Sequence, residues 1–205
     1  MTQTIAALYD TYDAAASAVN ALETSGIPYT DISLVSNNAD NRYHEDRRTH
    51  TAEGTGTGAG IGAVVGGVGG LLTGLGLLAI PGVGPVVAAG WLVATAAGAV
   101  GGAVVGGAAG GLVGALTSAG VSERDAQVYA EGVRRGGTLV TVRVDDARAP
   151  TVREILSRYQ AVDPALRDAA YRESGWTSFD ESAPPYTADQ IEAERARYLD
   201  DRTRR

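Results

Sequence analysis

The chain has 205 residues, enough for one domain or one domain with an insertion, and a net charge of −7. That charge argues against a nucleic-acid partner, because phosphate-binding surfaces are usually basic. Cysteine is absent, which excludes disulfides, thiolate nucleophiles and cysteine-ligated metals; lysine is absent too, which excludes a Walker-type phosphate loop.

The start, "MTQTIAALYD", lacks a basic stretch and meets Asp10 too early for a secretory signal, so a cytoplasmic origin is expected. "TIAALYD" (Thr4–Asp10) has the apolar run of a buried strand. In "TYDAAASAVNALETSG", Ala14, Ala18 and Leu22 with Ala15 and Val19 lie at helical spacing, Thr11 or Asp10 can cap the start, and Gly26 ends the helix. "DISLVSN" (Asp31–Asn37) reads as a second strand, and residues 39–56 as a polar linker.

From Gly54 to Ser122 no residue is charged, and 23 of the 28 glycines lie there. Gly58, Gly62, Gly66, Gly70 and Gly74 fall four apart, and so do Gly98, Gly102, Gly106, Gly110 and Gly114. Each interior glycine costs a helix about 1 kcal/mol relative to alanine, so such helices need close packing or lipid to persist. Small residues four apart make a groove that admits a second backbone. These ten glycines are therefore the candidate helix-packing residues of a glycine-zipper hairpin over residues 57–119. "PGVGP" (Pro81–Pro85) would be its turn, and a break is expected near Gly90–Gly98 with Trp91 beside the turn. Thr57–Ile80 would measure about 36 Å as one helix, enough to cross a hydrocarbon core of about 30 Å. Arginines on both flanks would hold the soluble part on the cytoplasmic side of the membrane. A lipid bilayer and a homo-oligomer are thus the expected partners. The alternative is a soluble Gly/Ala hairpin buried by self-association, a regulatory or ligand-binding module.

Beyond the block, Ser122 caps "SERDAQVYAEGVRR" with Asp125 in its first turn, and Gly136 stops that helix. "TLVTVRVD" (Thr138–Asp145) alternates as a strand. "TVREILSRYQ" is an amphipathic helix with Val152, Ile155, Leu156 and Tyr159 inward and Asp145 or Asp146 as its cap. "ALRDAAY" (Ala165–Tyr171) fits a last strand or a helix. Residues 1–38 and 120–171 would be two halves of a ferredoxin-like βαββαβ sandwich of α+β class, with helices on one sheet face. Residues 172–205 would form a charged tail. There Trp176, Phe179 and Tyr186 dock, and "TADQIEAERARYLDDRTRR" opens with a capping box (Thr187, Gln190) and forms an exposed helix.

The N-terminal "TIAALYDTYDAAASAVNALETSGIPYTDISLVSN", the central "LAIPGVGPVVAAG", "YAEGVRRGGTLVTVRVDD" and "SGWTSFDESAPPYT" together resemble the bacterial general stress protein 17M-like domain family, of the heat- or low-temperature-induced type. The resemblance spans roughly residues 2–180. It implies a stress-linked role and membrane association, and it supplies no catalytic residue. The residues themselves offer no chemistry either. "GAGIGA" (Gly58–Ala63) follows a polar loop instead of a strand and lacks the later acid of a dinucleotide site, so no cofactor is expected. His44 and His50 with Glu45 and Asp46 match no metal-ligand spacing, so no metal is expected. No His–Ser or paired-carboxylate arrangement stands out, and the chain reads as a non-enzyme.

Overall fold

The computed structural model describes residues 2–39, 76–92 and 111–203. Five strands form one antiparallel sheet in the order β1–β5–β2–β4–β3. They are β1 (Thr2–Tyr9), β2 (Ile32–Asn37), β3 (Gly76–Ile80), β4 (Gly84–Gly90) and β5 (Thr138–Asp145). Among the described residues six α-helices accompany them: α1 (Tyr12–Thr24), α2 (Gly111–Ser118), α3 (Glu123–Arg134), α4 (Ala149–Arg158), α5 (Pro164–Glu173) and α6 (Ala188–Thr203). The class is α+β, as expected.

Local chemistry explains most boundaries. The Thr11 hydroxyl accepts from the Ala14 amide at 3.3 Å and starts α1; Gly26 ends it at φ +85°. The Ser122 hydroxyl accepts from the Asp125 amide at 3.2 Å and starts α3, and Gly136 ends it at φ +98°. At α4 the expected cap is displaced. Asp145 accepts from the Arg148 amide at 2.9 Å, one turn early, and Arg148 occupies the cap position without a side-chain bond.

Three neighbouring strands, β1–β5–β2, stand in the order that a βαββαβ unit gives its first, third and second strands. The fourth strand does not form. Asp163 accepts from the Ala165 amide at 2.8 Å and Pro164 takes the first helical position, so Ala165–Tyr171 lies within α5. Only Val162 reaches the β1 edge, donating its amide to the Leu8 carbonyl at 2.8 Å.

The glycine-rich block differs from expectation where it is described. "PGVGP" is a turn, but it joins strands. β3 and β4 extend the sheet from the β2 edge, pairing Leu34 with Ala89 and Val35 with Ala88. A helix running through Ile80, or starting at Val86, is therefore corrected. In "GPVVAAG" the four residues Val86–Ala89 are buried, Val86 and Ala88 on the second-face core and Ala89 on the first, while "GLLAI" buries Ile80 and pairs with β4 at the sheet edge.

Helices cover both sheet faces, not one. On the first face α1 and α4 pack through Ala15, Val19, Leu22, Val152 and Leu156 onto Ile5, Ile32, Leu34, Val140 and Val142. On the second, α2 and α3 pack through Leu112, Leu116, Ala126, Ala130 and Val133 onto Leu8, Val35, Val86, Ala88 and Leu139. At Gly132 a Cβ would stand 2.4 Å from a Leu8 methyl, which shows how closely α3 lies on β1. Part of the block is thus domain core: Val83, Val86 and Leu92 are fully or almost fully buried.

Candidate functional site

The most elaborate polar arrangement lies where α3, α5 and the C-terminal tail meet. Arg135, just past α3, is 7% exposed. Its guanidinium donates to Glu131 at 2.7 Å and to Glu194 of α6 at 3.2 Å. Tyr198 donates to Glu194 at 2.7 Å. Arg167 of α5 donates to the buried Asp10 at 2.7 Å. The rings interleave with these cations: Arg135 lies 4.3 Å over Tyr171 and 5.7 Å over Tyr186, and Arg167 lies 3.8 Å over Tyr198. Trp176 meets Tyr171 edge-on, 5.6 Å between centroids.

The electrostatics follow from burial and pairing. Burial alone would lower the Arg135 pKa, but the bond and charge of Glu131 outweigh it and hold it above the ordinary value. Burial pushes Tyr198 up to about 12, helped by its bond to Glu194, and raises Tyr171 further. The cations are matched by carboxylates and covered by rings, so the arrangement acts as a lock between chain segments. It presents none of the pairings of nucleophile, base and oxyanion donor that catalysis uses.

The same tail covers the β3–β4 turn. At Gly82 (φ +72°) a Cβ would lie 2.7 Å from the Glu181 Cα; at Gly84 (φ +98°) it would lie 2.6 Å from the Pro185 Cβ. Phe179 packs on the second-face core beside them. Arg134 donates to the Pro184 carbonyl at 3.0 Å and stacks on Tyr186 at 5.1 Å. At the other end of the hairpin, Trp91 donates to the Asp31 carbonyl at 3.2 Å under Arg143. Two open hollows lie elsewhere on the described surface. One, of about 360 Å³, is lined by Asp31, Arg143, Asp145 and Arg148; the other, of about 260 Å³, by Ser122, Asp125, Tyr129 and Arg153. In the first, Arg143 is held by Asp31 at 3.3 Å. In the second, Tyr129 donates to the Ala6 carbonyl at 3.3 Å, and its pKa is pushed up to about 12, chiefly by burial.

Of the ten zipper glycines, only Gly114 is described; it lies in α2, and its carbonyl accepts from the Thr117 hydroxyl at 3.1 Å. Gly58, Gly62, Gly66, Gly70, Gly74, Gly98, Gly102, Gly106 and Gly110 lie outside the described residues, as do His44 and His50. Among the described residues no helix is long and apolar enough to cross a membrane, and no acidic or histidine cluster is arranged to hold a metal ion. Docking of Trp176, Phe179 and Tyr186 is observed. The exposed C-terminal helix is corrected: Ile191 is fully buried against Gly136. Sequence reasoning missed the Arg–Tyr lock. The available signal was Ile191, Glu194, Arg195 and Tyr198 at positions i, i+3, i+4 and i+7, one face of α6.

The comparison with known proteins covers β1, α1, β2 and β3. Residues 4–82 match the heat induced stress protein YflT domain. The resemblance to bacterial general stress proteins is borne out over that stretch. The YflT match ends inside the β3–β4 turn, so the partner strands β4 and β5 lie beyond it. No curated protein and no solved structure matches the chain.

Proposed function

We propose that this is a non-enzymatic general stress protein, a scaffold whose glycine-rich segments on either side of the β3–β4 hairpin associate with those of a second copy. One observation carries the choice. The turn expected to lie across a bilayer from the domain is built into the domain, with Val83 fully buried and Gly82 and Gly84 under the tail. With β4 paired to β2, no bilayer can stand between turn and body. In a helix, glycines four apart would present a surface suited to close contact, and self-association would use it without lipid.

The test is the mass of the full chain in solution. The reading expects an oligomer that Gly66→Leu and Gly106→Leu dissociate and that Val65→Leu and Val105→Leu preserve. A monomeric wild type, or equal masses for all four variants, overturns it. Membrane association is the second reading, favoured by the absence of charge from Gly54 to Ser122. Insertion as a single hairpin with its turn across the bilayer would require β3 and β4 to leave the sheet, and alkaline carbonate extraction of the native protein decides whether the chain is held in a membrane: retention in the membrane pellet supports this reading, release rejects it.

A further inference from the structure

We infer that residues 176–198 are a clasp that holds the β3–β4 hairpin on the sheet, so that the docking of the tail and of the hairpin are thermodynamically coupled. The tail grips the body at two places. Its first part lies on the hairpin turn: Phe179 joins the core around Val83 and Val86, and the backbone of Asp180 and Glu181 and the ring of Pro185 pass so close to Gly82 and Gly84 that no side chain fits there. Its second part is fastened away from the hairpin. Ile191 fills the space over Gly136, Arg195 donates to the Gly136 carbonyl at 2.9 Å, Glu194 pairs with Arg135, and Tyr198 stacks on Arg167.

The hairpin has one strand partner, β2, and its outer strand β3 pairs only with β4 among the described strands. The edge strand β3, with Leu77 exposed, is of the kind that occupies the low end of local stability, while β4 is held by β2 and by its buried side chains Val86, Val87, Ala88 and Ala89. The tail adds a third side to the hairpin's attachment. When the anchor at Ile191, Glu194 and Tyr198 lets go, the turn loses its cover while β1, β5 and the first-face core keep theirs. Linkage makes the relation reciprocal: whatever loosens the hairpin loosens the tail by the same factor. The clasp would thereby set how often β4 leaves the β2 edge. It concerns the described body alone and holds whichever partner the glycine segments take.

Amide hydrogen exchange on the full chain tests this with Ile191→Ser, a change on the anchor, and Pro185→Gly, a change at the turn. The expected result is exchange at least about tenfold faster at Val86–Ala89 in both variants, with Ile5–Leu8 and Val140–Val142 unchanged. In the reverse direction, Gly84→Ala should speed proteolytic cleavage within residues 176–187. Unchanged exchange in β4 in both variants overturns the clasp. So does equal acceleration of β1, β4 and β5, which would make the tail a contributor to global stability only.

Discussion

Replacing Arg135 by Met should be among the most damaging single changes in the chain. The guanidinium pairs with Glu131 at 2.7 Å, and the Glu131 side chain is 1% exposed. Removing the cation leaves that carboxylate with Arg134 at 3.5 Å and no closer charge. Breaking a buried pair by deleting one partner costs about 3–5 kcal/mol, mostly because the remaining charge stays desolvated. Arg134 lowers the figure, while the lost stacking on Tyr171 adds up to about 2 kcal/mol. The net expectation is about 3–4 kcal/mol. For a chain of this size that corresponds to a drop in melting temperature of roughly 6–16 °C. Urea unfolding gives the free energy directly. Glu131→Gln alone should cost a comparable amount, and the double variant clearly less than the sum. A loss for Arg135→Met below about 1 kcal/mol would mean that the network is as well solvated as a surface ion pair, and the lock argument would fail.

Further outcomes follow from single contacts. Gly90→Ala should destabilise by about 2–4 kcal/mol in thermal melts, because φ is +95° and the new Cβ would stand 2.2 Å from the Ile32 carbonyl oxygen; Gly120→Ala, at φ +92° with nothing within 4 Å, should cost only about 1–2 kcal/mol. Tyr9→Phe removes the bond to the Leu156 carbonyl at 2.9 Å and should cost about 1 kcal/mol in urea titration. Tyr198 keeps its proton in the folded state up to about 12, above its ordinary value of 10. Its contribution to stability is therefore complete below pH 10 and lost as pH rises toward 12. Alkaline unfolding followed by tyrosinate absorbance should be less steep over that range in Tyr198→Phe; an identical profile would refute the assignment.

Much of the body was legible because its signals are local. Thr11 and Ser122 capped the helices they suggested, with Asp125 in the first turn of the second, Gly26 and Gly136 ended them, and the alternation of Thr138–Asp145 marked β5 along its full length. Two features were misread where tertiary contacts decide. "GLLAI" and "GPVVAAG" sit between two glycine registers that suggest helix, yet pairing of β4 with β2 and β3 and burial of Val86 and Val87 select strand. The C-terminal helix looked exposed because it is mostly charged. Its docking rests on Ile191 and on Glu194, whose partner Arg135 stands just past α3, 59 residues away in sequence. Asp163–Pro164 was a readable helix start that decided α5 against a fourth strand.

The position of the β3–β4 hairpin in the domain's sheet can be read directly in the working protein. The chain has no cysteine, so a pair can be introduced cleanly at facing positions of β2 and β4, Val35→Cys with Ala88→Cys. Oxidation of the full-length protein inside cells, followed by non-reducing electrophoresis, should show the intramolecular disulfide in nearly all molecules, with no such link for Val35→Cys with Leu77→Cys. Failure of positions 35 and 88 to link in the cell would show the hairpin away from the β2 edge and contradict the account.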